Sequence, residues 1–196
     1  MIQQINSTNE LKDCLTHKIE DAGLEIAVDP LLSETEFIGV KVDDYYMGLH
    51  LGGETPKAVD FIVSVDCQCD AYVLYILELK KVRSPKAYTT ENIIEKFETA
   101  IERFMKTEFS NIFLNDKYKY KDVKLYLVTT AYGNAMGQAN FEAYYKLLAK
   151  TNKKDTLVND CKLSSKYFRF RNFVRRIERN TSKSSYKANR LKISKS

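Results

Sequence analysis

Seven consecutive apolar residues, Ala71 to Leu77, form the longest such run in the chain. The run is far too short for a membrane-spanning helix, which requires about 20 apolar residues. This run is rich in β-branched and aromatic side chains, and so are residues 59–65. The polar segment 66–70 separates the two apolar segments. This pattern predicts a β-hairpin, with strands over residues 59–65 and 72–80, that packs one apolar face into a core.

The register of this hairpin brings acidic residues together. With the turn centred on Cys69, Asp60 lies opposite Glu78. Side chains alternate along a strand, so Asp60, Glu78 and Lys80 share the face opposite the apolar one. Two carboxylates at such short range repel each other unless a cation lies between them, and oxygen ligands suit Mg²⁺ or Mn²⁺. The sequence therefore predicts a divalent metal site at Asp60 and Glu78.

Lys80 adds the third group that phosphodiester hydrolysis requires. Because it lies two residues beyond Glu78, its ammonium can sit beside a metal-bound water or a scissile phosphate. There it would orient or deprotonate the nucleophile and offset charge on a pentavalent transition state. The three side chains together indicate a metal-dependent nuclease.

The spacing D-x17-E-x-K, formed by Asp60, Glu78 and Lys80 with an apolar strand before the second acid, resembles the PD-(D/E)XK nuclease superfamily. That superfamily includes type II restriction endonucleases and Holliday-junction resolvases. Val59 replaces the proline of the name, a departure that the superfamily often tolerates. The resemblance implies an α/β fold with a restriction-endonuclease-like core in the order α-β-β-β-α-β, built as a mixed sheet flanked by helices.

The same resemblance assigns roles to residues. It implies that Asp60 and Glu78 bind the metal, that Lys80 is the catalytic lysine, and that Glu10 is an auxiliary metal-binding acid. The cofactor would be Mg²⁺, with Mn²⁺ as a substitute, and the activity that of a restriction-type endonuclease cutting DNA as a homodimer. Alternatives on the same core are a resolvase, a repair nuclease, a nuclease toxin, or a nucleic-acid-binding protein without activity. Intact Asp60, Glu78 and Lys80 argue against the last of these.

Periodicity along the chain supplies the remaining elements of such a core. It predicts helices over residues 8–22, 90–106 and 138–150, a first hairpin over residues 36–42 and 45–51, and a buried strand over residues 123–130. Residues 1–150 would then form the nuclease-like catalytic domain.

Charge is distributed unevenly. Residues 151–196 contain 14 Lys and Arg against three acids, a net charge of +11, so the first 150 residues carry −6. Such a basic C-terminal extension favours nucleic acid as a partner, the other interpretation being a solvated tail. Residues 167–176 interleave aromatics with arginines and fit either a strand or a helix. Under both geometries the arginines separate from the aromatic face, and the predicted DNA contacts are Arg169, Arg171, Arg175, Arg176 and Lys183.

Several other classes of site find no support in the sequence. Four cysteines without an export signal predict free thiols in a cytoplasmic protein, and no membrane association is expected. Cys67 and Cys69 lack a second pair or a nearby histidine, so zinc is not predicted. His17 and His50 have no nucleophile partner in a recognisable triad. No Gly-Lys-Ser or Gly-Lys-Thr is present to indicate ATP use.

Overall fold

A computed structural model describes residues 1–49, 53–81, 89–130, 163, 165–182 and 191–195. Its elements in chain order are α1 (Ile2–Ser7), a 3-10 helix (Asn9–Cys14), β1 (Leu15–Thr16), β2 (Glu20–Asp21), β3 (Leu24–Glu25), β4 (Ala27–Val28), β5 (Phe37–Lys41), α2 (Val42–Gly48), β6 (Phe61–Asp66), β7 (Ala71–Lys80), α3 (Thr90–Glu98), a π-helix (Thr99–Glu108), α4 (Ser110–Phe113), β8 (Lys119–Thr130), β9 (Tyr167–Phe170), β10 (Phe173–Ser182) and β11 (Lys192–Ile193).

Seven of these strands form one mixed sheet, in the order β1-β5-β6-β7-β8-β10-β9. Strands β5, β6 and β7 are antiparallel neighbours. The chain then passes through α3 and the π-helix before β8 pairs with β7 in parallel, and β10 extends the sheet in parallel beyond β8. The prediction of a mixed α/β sheet with packed helices is confirmed at this level. β9 and β10 belong to the same sheet, although they lie within the predicted extension 151–196.

The central hairpin has the predicted register. Phe61 pairs with Leu77, and Val65 pairs with Val73. The turn that joins the strands is unusual, because Gln68, Cys69 and Asp70 all have positive φ, at 71°, 54° and 55°. Positive φ is costly for residues other than glycine, so the packing on either side must hold the turn in place.

Apolar residues cover both faces of the sheet. On one face α1, α2, α3 and the π-helix pack against the strands, and aromatic side chains such as Phe97 and Phe104 fill the space between them. On the other face the described covering consists of the short strands β2 to β4 and residues 191–195, which contribute Ile26 and Ile193. The hairpin of β6 and β7 is therefore buried on both sides.

Two predictions near the N-terminus are wrong. Residues 8–22 do not form one helix, because Leu15 and Thr16 pair with β5 and end the 3-10 helix, and Ala22 adopts a positive φ of 50°. Residues 45–51 do not form the second strand of a hairpin, because α2 begins at Val42. Asp43 and Asp44 occupy the first turn of that helix, where negative charge is favourable.

The remaining elements agree more closely. The helix predicted at residue 90 begins there, capped by the Thr89 side chain, which accepts a hydrogen bond from the Asn92 N–H at 3.3 Å. Its second half is π-helical and extends to Glu108. The strand predicted over 123–130 begins earlier, at Lys119. The ambiguous segment 167–176 is a β-hairpin. The helix predicted over 138–150 lies outside the described residues.

Two sequence-level expectations concern thiols and membranes. Cys14, Cys67 and Cys69 are free thiols, as predicted. Cys161 lies outside the described part of the chain. No described helix has both the length and the apolar character needed to cross a bilayer.

Candidate active site

Asp60 and Glu78 meet at the edge of the central hairpin. Asp60 immediately precedes β6, and Glu78 lies two residues before the end of β7, one step beyond the pair formed by Phe61 and Leu77. Both are buried, with Asp60 only 6% and Glu78 only 1% exposed. The Leu79 N–H donates a hydrogen bond to Oδ2 of Asp60 at 2.5 Å. This bond fixes one Asp60 oxygen against the neighbouring strand.

A lysine from α3 lies against both acids. The Lys96 ammonium donates to Oε1 and Oε2 of Glu78 at 2.7 and 2.9 Å. The same nitrogen is 3.9 Å from Oδ1 of Asp60. The two carboxylates therefore share one cation, and in the structure that cation is an ammonium.

Sequence reasoning missed Lys96, although a signal for it was present. The buried face of α3 includes Ile93 and Phe97, and Ala100 continues this face in the π-helix. Lys96 is three residues after Ile93 and four before Ala100, which places it beside the inward stripe of the helix. A charge at such a position indicates a buried partner, but the helix periodicity alone does not say which acid it meets.

Burial dominates the electrostatics of this cluster. It raises the pKa of Asp60, and the charge of Glu78 raises it further, while Lys96 and the Leu79 N–H oppose the shift. Burial also raises the pKa of Glu78, against the opposing effect of Lys96. For Lys96 burial acts in the other direction, but the charges of Glu78 and Asp60 outweigh it and the pKa of the ammonium is raised. The cluster keeps its lysine charged and resists ionisation of both acids.

A third carboxylate, that of Asp43, lies within electrostatic reach. It is in the first turn of α2 and half-buried, and burial raises its pKa. Its negative charge raises the pKa of both Asp60 and Glu78. The hairpin predicted over residues 36–42 and 45–51 would place Asp43 in its turn, whereas in the structure Asp43 lies in the first turn of a helix.

The oxygen donors of Asp60 and Glu78 fit Mg²⁺ in number and type. This ion commonly uses one or two carboxylates and fills its other positions with water or phosphate oxygens. Within the described ranges, no group of three or more acidic, histidine or cysteine side chains is arranged to hold a metal ion. Two carboxylates would leave the other coordination positions of such an ion to solvent or substrate oxygens.

The other two residues predicted for the active site, Lys80 and Glu10, lie in different places. Lys80 shares the face of Glu78, is partly exposed, and lowers the pKa of Glu78 through its charge. It has no ion pair or hydrogen bond within the part of the chain that the structure describes, so its ammonium is available to an external anion. Glu10 is exposed on the 3-10 helix, where its charge acts on Tyr45. No described contact joins Glu10 to Asp60 or Glu78.

The four arginines predicted to contact DNA differ in their surroundings, and two of them bond to the body of the protein. Arg171 donates to the carbonyl oxygens of Tyr118 and Asn115 at 2.9 and 2.8 Å, and Arg175 forms a 2.7 Å ion pair with Asp122. Both therefore tie the hairpin of β9 and β10 to the body.

The other two arginines, Arg169 and Arg176, are both exposed. The Arg176 guanidinium lies over the exposed Tyr167 ring, 5.0 Å from its centre. Lys183, the remaining predicted contact, lies outside the described residues.

Comparison of the chain with protein-family models, with curated proteins and with solved structures finds no match.

Proposed function

We propose that the protein is a Mg²⁺-dependent endonuclease of the PD-(D/E)XK type that hydrolyses DNA phosphodiester bonds, with Mn²⁺ as an alternative metal. The observation that carries the proposal is the pair of buried carboxylates, Asp60 and Glu78, which share one cation beside Lys80, a lysine with no ion-pair partner among the described residues. Buried charges on adjacent strands are costly, and their convergence at the open end of a hairpin favours a functional origin. The chain order also supports the proposal, because the superfamily core has antiparallel strands followed by a helix and a further strand. Here β5 to β7 are antiparallel, α3 and the π-helix follow, and β8 then pairs in parallel with β7.

In the proposed mechanism Asp60 and Glu78 would hold the metal through their carboxylate oxygens. The bound metal would supply a polarised water and neutralise charge on the phosphate. Asp60 keeps its orientation through the Leu79 N–H. The Lys80 ammonium donates to the attacking water or to a phosphate oxygen, and so stabilises the added negative charge of the transition state. Burial of both acids keeps bulk water from weakening these interactions.

The substrate would bind along a basic surface. Arg169 and Arg176 are exposed and suited to phosphate contacts, while Arg171 and Arg175 hold the strands that carry them. A type II restriction enzyme, acting in the cytoplasm as a homodimer, is the form of the proposal that the resemblance favours. A resolvase, a repair nuclease or a nuclease toxin would use the same chemistry on a different DNA structure.

One observation favours a second candidate, a nucleic-acid-binding protein without activity. Lys96 already neutralises Glu78 with two short hydrogen bonds, so the acids have a counter-charge that is not a metal. In that case the cluster would serve only to hold α3 against the sheet.

Cleavage of supercoiled plasmid DNA distinguishes the two candidates. We expect nicking or linearisation with Mg²⁺ or Mn²⁺, no cleavage in EDTA, and a loss of at least about a hundredfold in rate for Lys80→Ala. Lys81→Ala is the matched control, since this exposed neighbour points away from the Glu78 face. Cleavage in EDTA, or equal rates for the Lys80 and Lys81 variants, would contradict the mechanism. Metal-independent DNA binding with no cleavage would favour the second candidate.

A further inference from the structure

Lys96 occupies the place where a metal would have to bind. Its nitrogen contacts both oxygens of Glu78 and faces Oδ1 of Asp60, the oxygen that the Leu79 N–H does not use. A cation that bridges the two carboxylates must therefore displace this ammonium from Glu78. The lysine and the metal compete for the same lone pairs.

The environment of Lys96 differs from that of an ordinary helix lysine. Lys106, further along the same helical segment, pairs with Glu102 at 2.6 Å, but the Glu102 side chain is 60% exposed. Lys96 instead reaches acids that are almost fully buried, and its own side chain is 21% exposed. Solvent can solvate the Lys96 ammonium when it leaves Glu78, but it cannot solvate the two acids left behind. Departure of Lys96 from acids that remain ionised therefore requires another cation to arrive.

We infer that Lys96 is an internal counter-ion that stays on Glu78 and beside Asp60 until a divalent cation replaces it, after which its ammonium is free to bind a phosphate oxygen of the substrate. The inference rests on the proposed function, because it assumes that these two acids form the metal site. It adds a metal-displaced, substrate-binding lysine that neither the hairpin spacing nor the resemblance assigns. The released ammonium would join Lys80 on the substrate side of the acids.

A purely structural ion pair would behave differently. If Lys96 only fastened α3 to the sheet, its removal would leave two uncompensated buried carboxylates and lower stability, without any gain in metal affinity. If Lys96 competes with the metal, its removal lowers stability without metal and raises affinity for metal. The sign of the change in affinity separates the two interpretations.

The test measures Mn²⁺ binding to the full chain by titration calorimetry at pH 8.5, where the carboxylates are most fully ionised. We expect Lys96→Met to bind Mn²⁺ about tenfold more tightly than the wild type, the ratio that corresponds to removing one charge-assisted contact. Lys96→Arg retains the competing charge and should bind no more tightly than the wild type. Lys106→Met, the same substitution at a surface pair on the same helical segment, should leave the affinity unchanged. DNA cleavage by Lys96→Met should fall while its metal affinity rises.

The outcomes separate this inference from the proposed function. Mn²⁺ binding that depends on Glu78 but is no tighter in Lys96→Met than in the wild type overturns the inference alone. An absence of Mn²⁺ binding in the wild type, in Lys96→Met and in Glu78→Gln alike overturns the metal site itself, and the inference with it. If Lys96→Met does not fold without metal, its circular dichroism is followed against Mn²⁺ concentration beside that of Lys96→Arg. Recovery of structure in the Met variant supports the inference, and failure to recover overturns it.

Discussion

The Leu79 N–H donates its hydrogen bond to Asp60, across the gap between the start of β6 and the end of β7, at 2.5 Å. The predicted register brings the two residues together, and the bond uses the Oδ2 oxygen that does not face Lys96. One Asp60 oxygen is therefore bound to the backbone, and the other faces Lys96 and is the one that the proposed function assigns to the metal. Substitutions of Asp60 that keep or remove the acceptor for Leu79 can therefore separate the two roles.

Asp60→Asn should preserve the fold and remove the chemistry. The amide oxygen can still accept from Leu79, and loss of the negative charge relieves repulsion with Glu78. Asp60→Ala removes the acceptor as well, so we expect it to be less stable than Asp60→Asn by about 1–3 kcal/mol, the cost of an unsatisfied buried N–H. Urea denaturation measures the difference. Both variants should lose Mn²⁺ binding.

A matched control for the Asp60 variants lies at the other end of the same hairpin. Oδ1 of Asp66 accepts from the Gln68 N–H at 2.7 Å. Asp66→Asn should therefore leave metal binding unchanged, while Asp66→Ala weakens the turn. Equal stability of Asp60→Ala and Asp60→Asn would show that the bond to Leu79 contributes little.

The raised pKa values of Asp60 and Glu78 predict how stability depends on pH. A carboxyl whose pKa is higher in the folded protein binds its proton more tightly there than in the unfolded chain. The associated stabilisation is present in full below the ordinary carboxyl pKa of about 4 and is lost as pH rises through the raised value. If the two acids hold Mn²⁺, as the proposed function requires, the metal should oppose this loss because it binds their ionised forms.

Melting temperatures between pH 5 and pH 8.5, with and without Mn²⁺, measure this effect. We expect the stabilisation by Mn²⁺ to grow with pH, because metal binding releases protons from the acids. Glu78→Gln should show no such growth. A Mn²⁺ effect that is independent of pH in the wild type would mean that Asp60 and Glu78 are not the ligands.

The sequence predicts the hairpin and its register because alternation and a polar turn are local properties. Phe61 and Leu77 must pair once the turn is centred on Cys69, and the positions of Asp60 and Glu78 follow from that pairing. The approach of Lys96 is not predictable in the same way, because it depends on where α3 packs on the sheet. Local signals identify the acids, whereas their counter-charge comes from tertiary packing.

The errors near the N-terminus have the same origin. Helical spacing over residues 8–22 is real for Leu11 and Cys14, which are both buried, but Leu15 pairs with Val40 of the sheet instead. Pairing at a sheet edge overrides weak helical preference. In α2, Val42 and Tyr46 are buried one helical turn apart, a spacing that short alternating segments share with strands.

The C-terminal residues 191–195 should stabilise the fold, although their charge suggests a solvated tail. Ile193 is fully buried, and β11 pairs in parallel with β4. The Tyr75 hydroxyl donates to the Ser194 carbonyl oxygen at 2.9 Å, and Lys195 pairs with Glu36 at 2.5 Å. Ile193→Ala should lower the free energy of unfolding by about 2–5 kcal/mol, because it leaves a cavity against the sheet.

Denaturant unfolding of Ile193→Ala beside Lys192→Ala checks this prediction. Lys192 forms a partly exposed ion pair with Asp29 at 3.2 Å, and such pairs contribute at most about 1 kcal/mol. Equal, small effects for the two variants would mean that residues 191–195 are not part of the folded core in solution.

The four arginines of the β9 and β10 hairpin should not contribute equally to DNA binding. If Arg169 and Arg176 each neutralise a phosphate, changing both to Gln should flatten the dependence of log K on log salt by about 0.9 per lost contact, or roughly two units on duplex DNA. Neither substitution should affect stability strongly, because both side chains are exposed. Salt-titrated binding to a short duplex measures the slope.

Arg171 and Arg175 provide the contrasting pair within the same hairpin. Arg171 bonds two backbone carbonyl oxygens, and Arg175 is paired with Asp122, so their change to Gln should lower stability while altering the salt slope less. Removing Arg171 leaves partly buried carbonyl groups without their charged donor, which costs about 1–3 kcal/mol. A salt slope that falls equally for the two pairs would mean that Arg171 and Arg175 leave these partners to contact DNA. An unchanged slope for the Arg169 and Arg176 variant would place the phosphate contacts on another surface, and the basic character of this hairpin would then serve to hold it against the sheet.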